Sequence, residues 1–243
     1  MAKVRGLSRA RLKVIGLVLV LLGAVGSAII GHGLPSDLAQ ADLSQLTLAV
    51  AVEAISWVAI PIYAWLLHTG MAQTRNRVRY GLRLLGLAIV SEVPYDLATS
   101  GVPWNMVSQN PVWGLVVCLI VLCAIDYLRP RKSALAVVLG VVMCLAGVLW
   151  MLLFNIGLRF GLMSGGLVML LLCLVFCFLD GKENTMMLVG TLVTTLALVF
   201  PAMGLAVIHF RNDQYGLTRR GQYAFYAAYP VCLLVVGLWG LAV

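Results

Sequence analysis

Eight apolar runs, each near the length of a bilayer-crossing helix, follow one another along the chain: Val14–Gly31, Leu46–His68, Tyr80–Asp96, Val112–Leu128, Ala134–Phe154, Phe160–Leu179, Thr185–Ile208 and Ala224–Val243. About 20 apolar residues suffice for a helix to cross the hydrocarbon core. Inside that core every backbone polar group must be satisfied within the protein, which favours helices. Hydrophobic residues make up 62% of the sequence and charged residues 11%, whereas a soluble domain carries about 25% charged residues. The sequence therefore predicts an all-α polytopic membrane helix bundle with about eight transmembrane helices. Its connections are short and it holds no repeat, so residues 1–243 read as a single integral membrane domain with a basic tail over 1–13. The first run has full span length and is read as a retained helix rather than a cleaved signal.

The net charge of +8 would suggest nucleic acid on a soluble protein. In a membrane protein basic residues instead set orientation, so lipids are the expected partners and nucleic acid is not. Of 17 Lys and Arg, five lie in MAKVRGLSRARLK, four in AQTRNRVRYGLR, three in RPRK and one in DGKEN. With eight crossings these segments share one side, which places both termini in the cytoplasm.

An ionisable group inside a bilayer is costly and usually faces a cavity or a partner. With a rise of 1.5 Å per residue, Glu53, Glu92 and Asp96 fall in the outer half of their helices. Eight crossings would bring His32, Arg159, His209, Arg211, Arg219 and Arg220 to the same face. A functional cluster is one reading. Structural ion pairs of Glu92 and Asp96 with Arg159 and Arg219 are the other. Pro61, Pro201 and Pro230 are expected to kink helices around a cavity. The six cysteines lie in apolar runs without metal-ligand spacing, so they are read as packing residues and no metal is expected.

The run PIYAWLLHTGMAQTRNRVRYGLRLLGLAIVSEVPYDLA, residues 61–98, resembles the most recognisable block of the TraX family, membrane proteins named for acetylation of the pilin N-terminus in F-type conjugation. Gln109-Asn110 and the segment YGLTRRGQYAFYAAYPVCLLVV, residues 215–236, are similar to later family motifs. The resemblance implies a multi-helix acyltransferase fold with acetyl-CoA as co-substrate and a small pilin-like peptide, a glycan or a lipid as acceptor. By position it implies Glu92 and Asp96 as catalytic groups, and Arg75, Asn76, Arg83, Asn110, Arg219 and Tyr229 as substrate- or cofactor-binding groups. Tyr80, Pro94, Gly221 and Pro230 also match. The chain departs from the family at Gly23-Ala24, where an Asp-His pair is common, and at Thr69, Arg159-Phe160 and Cys232. Acyl transfer uses a general base, most often His; His32, further along the first apolar segment, is taken as its candidate.

Two other functions compete with acyl transfer. The replaced histidines suit a non-catalytic membrane assembly or partner subunit. Intramembrane carboxylates in a kinked bundle suit a transporter or permease component.

Overall fold

The computed structural model describes residues 6–30, 42–159, 163–195, 199–212, 214 and 219–242, with the backbone alone at Arg159, Met163, Arg219, Arg220 and Gln222. Among the described residues the elements are helices, apart from a two-residue antiparallel pairing. Its helices are α1 (Arg9–Ala28), α2 (Leu43–Ser56), α3 (Ala59–Gln73), α4 (Arg77–Ser100), α5 (Pro111–Leu128), α6 (Ala134–Leu153), α7 (Gly165–Phe178), α8 (Glu183–Thr195), α9 (Phe200–His209) and α10 (Arg219–Gly240). Among the described residues, five stretches are long and apolar enough to cross a membrane: Arg9–Ala28, Leu43–Gln73, Pro111–Arg131, Ala134–Leu153 and Tyr223–Gly240. The 24-residue α4 has the length, but it carries Arg77, Arg79, Arg83, Glu92 and Asp96.

Polar caps mark where the helices begin. Ser8, Asp42, Asn76, Asn110, Ser133 and Ser164 each accept a backbone N–H of the first turn, which satisfies one of the donors a helix N-terminus leaves open. Two of the prolines expected to kink helices start them instead. Pro61 lies in the first turn of α3, just after the break at Trp57 and Val58, and Pro201 is the second residue of α9. Proline is tolerated there because the first-turn N–H has no intrahelical partner to lose. Pro94 and Pro230 are the ones inside helices.

Small residues set how close the helices come. The α1–α2 contact passes through Gly23 and Gly26, where an added Cβ would fall 2.5 Å from Ser56 Oγ and 3.0 Å from the Ala49 carbonyl oxygen. Small residues let membrane helices approach at backbone distance. The same glycines show α1 antiparallel to α2 and α3, since Gly16 meets Tyr63 while Gly26 meets Ala49. By contrast α10 runs parallel to α4. Arg83 lies 5.4 Å over the Tyr223 ring, and Gly237 packs on Leu97 and Ala98.

The seventh expected span, Thr185–Ile208, is not a single crossing. It forms α8 and α9, which pack on each other, and its two ends meet. Arg211 donates to both carboxylate oxygens of Glu183, at 2.7 and 2.6 Å. The ion pair holds the Glu183 carboxyl below the usual carboxylate range. Arg211 also lies 4.1 Å over the Trp65 ring and shares a backbone bridge with Leu7. A close notch seats the hairpin: a Cβ on Gly204 would collide with the Val58 carbonyl oxygen and the Pro61 ring.

This reversal redistributes the charges. His209 and Arg211 belong to the end of the bundle that holds Leu7, Gln73 and Glu183, not to the end of Asp96. Leu7 and Gly240 lie at opposite ends, against the expectation that both termini share a side. Every described Lys and Arg except Arg159 falls at the first end, in a connection or in the first two turns of a helix. Loops 101–110 and 154–159 form the other end, stitched by Gln109 N–H to the Asn155 carbonyl at 3.2 Å and Gly157 N–H to the Gln109 carbonyl at 2.9 Å.

Candidate functional site

A cavity of about 270 Å³ opens between α1, α3, α4 and α10. Lys13, Gly70, Thr74, Arg83 and Tyr223 line it toward the basic end. Leu17, Tyr63, Leu67, Tyr80, Leu84, Leu87 and Tyr226 form its walls, and Pro111, Val112 and Tyr229 lie at its depth. From Arg83 to Ser91 along α4 is about 12 Å at 1.5 Å per residue.

Behind the deep end lies a polar cluster. Tyr229 donates its hydroxyl to Asn110 Oδ1 at 2.9 Å. Asn110 donates its side-chain N–H to Ser91 Oγ at 2.7 Å, and Ser91 passes its own hydroxyl to the Leu87 carbonyl at 2.5 Å. Asn110 Oδ1 also accepts the Val112 N–H at 3.0 Å, so capping α5 fixes the amide that Tyr229 and Ser91 share. Glu92 accepts the Trp113 indole N–H at 2.7 Å through Oε2, while its Oε1 lies 3.5 Å from the Asn110 N–H. The second contact is at the limit of a hydrogen bond. It leaves Oε1 with lone-pair capacity in a buried setting at the N-terminus of α5, where the helix dipole favours negative charge.

Three of the residues selected from sequence thus meet: Glu92, Asn110 and Tyr229. Arg83 stands at the other end of the cavity that Tyr229 closes. Asp96 lies one turn beyond Glu92, buried, where Oδ2 accepts the Asn105 N–H at 2.9 Å and Oδ1 has no partner. It pins the loop after α4 rather than facing the cavity. Arg75 and Asn76 are exposed at the basic end, where Asn76 accepts the Arg79 N–H and caps α4. His32 lies outside the described residues. Arg219 is described by backbone alone, and it starts α10 about 27 Å from Gly237 at 1.5 Å per residue. Its end of the helix is therefore remote from Asp96, and the expected meeting of Arg219 with the α4 carboxylates does not occur. Among the described residues no Lys or Arg pairs with Glu92 or Asp96.

Lys13, Tyr63, Ser91, Trp113 and Tyr226 were not selected from sequence. Trp113 and the tyrosines read as interfacial aromatics, and Ser91 as the first letter of SEVPYD. Lys13 reads as one more charge of a basic tail. No further signal in the sequence separates them. The two described histidines do not reach the cluster: His68 lies 3.9 Å from Asp180, and His209 3.8 Å from Glu183. At Gly23, where the family resemblance puts an aspartate, the contact with Ser56 leaves no room for one. All six cysteines are free, and no group of three metal-ligating side chains occurs among the described residues.

No curated protein and no solved structure matches the chain. The family model described as TraX protein matches residues 8–241. A match over nearly the whole chain, on a helical bundle that sets the SEVPYD glutamate against the capping asparagine and the tyrosine of the last helix, shows that the chain belongs to the TraX family.

Proposed function

We propose that this TraX-family protein is a plasma-membrane acyltransferase whose donor, acetyl-CoA, enters from the basic end. The single observation that carries this reading is the cavity itself. It begins among cations and ends on Tyr229, whose hydroxyl is bonded to the Asn110 that also faces Glu92. Family membership is compatible with it. Glu92 Oε1 takes the proton from the acceptor's amine or hydroxyl as that atom bonds to the acyl carbon. The carbon–sulfur bond breaks and the proton ends on the thiolate of CoA. The second side-chain N–H of Asn110 donates toward the acyl oxygen, where charge develops, and Tyr229 fixes that amide through its bond to Oδ1. A carboxylate base suits the site because no described histidine is near it.

The membrane arrangement that goes with this reading differs from eight crossings. It has seven, namely α1, α2 with α3, α4, α5, α6, α7 and α10, with α8 and α9 entering and leaving on the cytoplasmic side. Basic residues favour that side, so the N-terminus is cytoplasmic and the C-terminus is not. Reporter fusions at each terminus test it, and a cytoplasmic signal from both would overturn it.

The functional test is transfer of labelled acetyl from acetyl-CoA to peptide, glycan or lipid acceptors by the purified protein in liposomes. Transfer to one class is expected. Failure with all three would favour the second reading, a membrane assembly or partner subunit. The closed contact at Gly23 motivates that alternative, since it excludes the acidic residue usual at this family position.

A further inference from the structure

The cavity carries two cations that its walls do not neutralise. Lys13, half-buried on α1, and Arg83, on α4, both line it. Among the described residues neither has a carboxylate within ion-pair distance. This contrasts with the neighbouring surface, where Arg77 pairs with Asp126 at 2.6 Å and Arg211 with Glu183. The charge nearest Lys13 along its own helix face is Arg9, one turn earlier and of the same sign. Arg83 is held by an aromatic face, that of Tyr223 at 5.4 Å, which restrains the guanidinium without neutralising it. A half-buried ammonium without a counter-charge is costly unless a ligand supplies one. Deeper in, Leu17, Leu84 and Leu87 make the wall apolar, with tyrosines interleaved.

We infer that Lys13 and Arg83 form an anion clamp for a phosphate-bearing amphiphile, with the phosphate between the two cations and the less polar portion of the ligand running inward toward Tyr229. Lys13 is thereby a binding residue that neither the motif nor the basic tail singled out. The chemistry is shared by two sources. One is the phosphates of a coenzyme A thioester arriving from solution, and the other is the headgroup phosphate of an anionic lipid arriving from the leaflet. In the first case the clamp rests on the acyl-transfer reading and names its donor contacts. In the second it stands without that reading.

The test measures binding to the full-length protein in detergent, with coenzyme A as one probe and phosphatidylglycerol against phosphatidylcholine as the other. Lys13→Gln and Arg83→Gln are each expected to weaken the phosphate-bearing probe about tenfold, the scale of one charge-assisted hydrogen bond. Arg131→Gln, an exposed basic change away from the cavity, is expected to leave binding unaltered. Loss of coenzyme A binding in the two cavity variants supports the soluble source. Loss of preferential phosphatidylglycerol retention supports the lipid source. If neither probe binds, or both cavity variants bind as tightly as the unmodified chain, the clamp is refuted. A thermal melt of each variant separates misfolding from lost contact, and Lys13→Arg should restore binding if charge is what matters. Binding of coenzyme A by Glu92→Gln without acyl transfer by any form of the protein would refute the transferase reading and leave the clamp standing.

Discussion

Two acidic sites in this bundle are solved in opposite ways. Glu183, at the basic end, takes both N–H groups of one arginine and stands partly in solvent. Glu92, in the interior, takes an indole N–H and a distant backbone N–H, with no cation in reach among the described residues. An exposed ion pair is worth little on its own, but a bidentate one fixes geometry. It closes the α8–α9 hairpin and ties it to Trp65 and to the start of the chain. A carboxylate held only by neutral donors keeps a lone pair for chemistry. One site spends its acid on shape, and the other keeps it available.

The sharpest way to break this contrast is to neutralise each acid in turn. Glu92→Gln should lower acyl transfer by at least about 100-fold, the usual worth of a general base, while Glu183→Gln should change it less than about twofold. Equal losses measured in the same liposome assay would erase the distinction. Next in size is Gly204→Leu, which puts a side chain into the notch at Val58 and Pro61. Overpacking of this kind costs about 1–3 kcal/mol, and a lowered melting temperature in detergent with partial loss of the Arg211–Glu183 closure is expected. Tyr229→Phe removes one donor from Asn110 and should reduce transfer about tenfold, with little change in the melt.

The smallest effect is the pH dependence of the latch. The arginine holds the Glu183 carboxyl below its usual range. Its stabilising contribution is therefore present above the unfolded-state value, near pH 4, and is lost as pH falls through the lower folded-state value. Exposure keeps it under about 1 kcal/mol. Melting curves between neutral and acidic pH should show a drop that Arg211→Gln lacks; a parallel drop in that variant would assign the effect elsewhere.

The helices were legible because apolar length is a strong signal, and each of the eight runs is mainly helical where it is described. What hydropathy does not carry is whether a run passes through or turns back. Thr185–Ile208 has the length of a span, and folding it as α8 and α9 reverses the side of everything after it. Two residues inside the run held the hint. Pro201 suits a helix start better than a helix middle, and Gly204 marks a close approach of backbones. The missed hairpin also explains the expected gathering of His209, Arg211, Arg219 and Arg220 at the carboxylate end, since a single missed reversal displaces every later charge; Arg159, which precedes it, stays at that end. Within the site, Glu92 and Asn110 were legible because polar residues of their type are scarce in an apolar chain and recur in a family pattern, and Tyr229 through that pattern alone. Lys13 was hidden by its surroundings: in sequence it is the last charge of a basic tail, and only the approach of α10 to α4 and α1 makes it a wall of a cavity.

That cavity is walled by the first helix and the last. During synthesis α1, α3 and α4 are made early, yet the pocket lacks a side until α10 has been produced and has aligned with α4. A chain stopped anywhere before Tyr223 can insert most of its helices and still hold no site. The cavity is thus completed by the last helix made, and truncation before Tyr223 is expected to leave it open along one side.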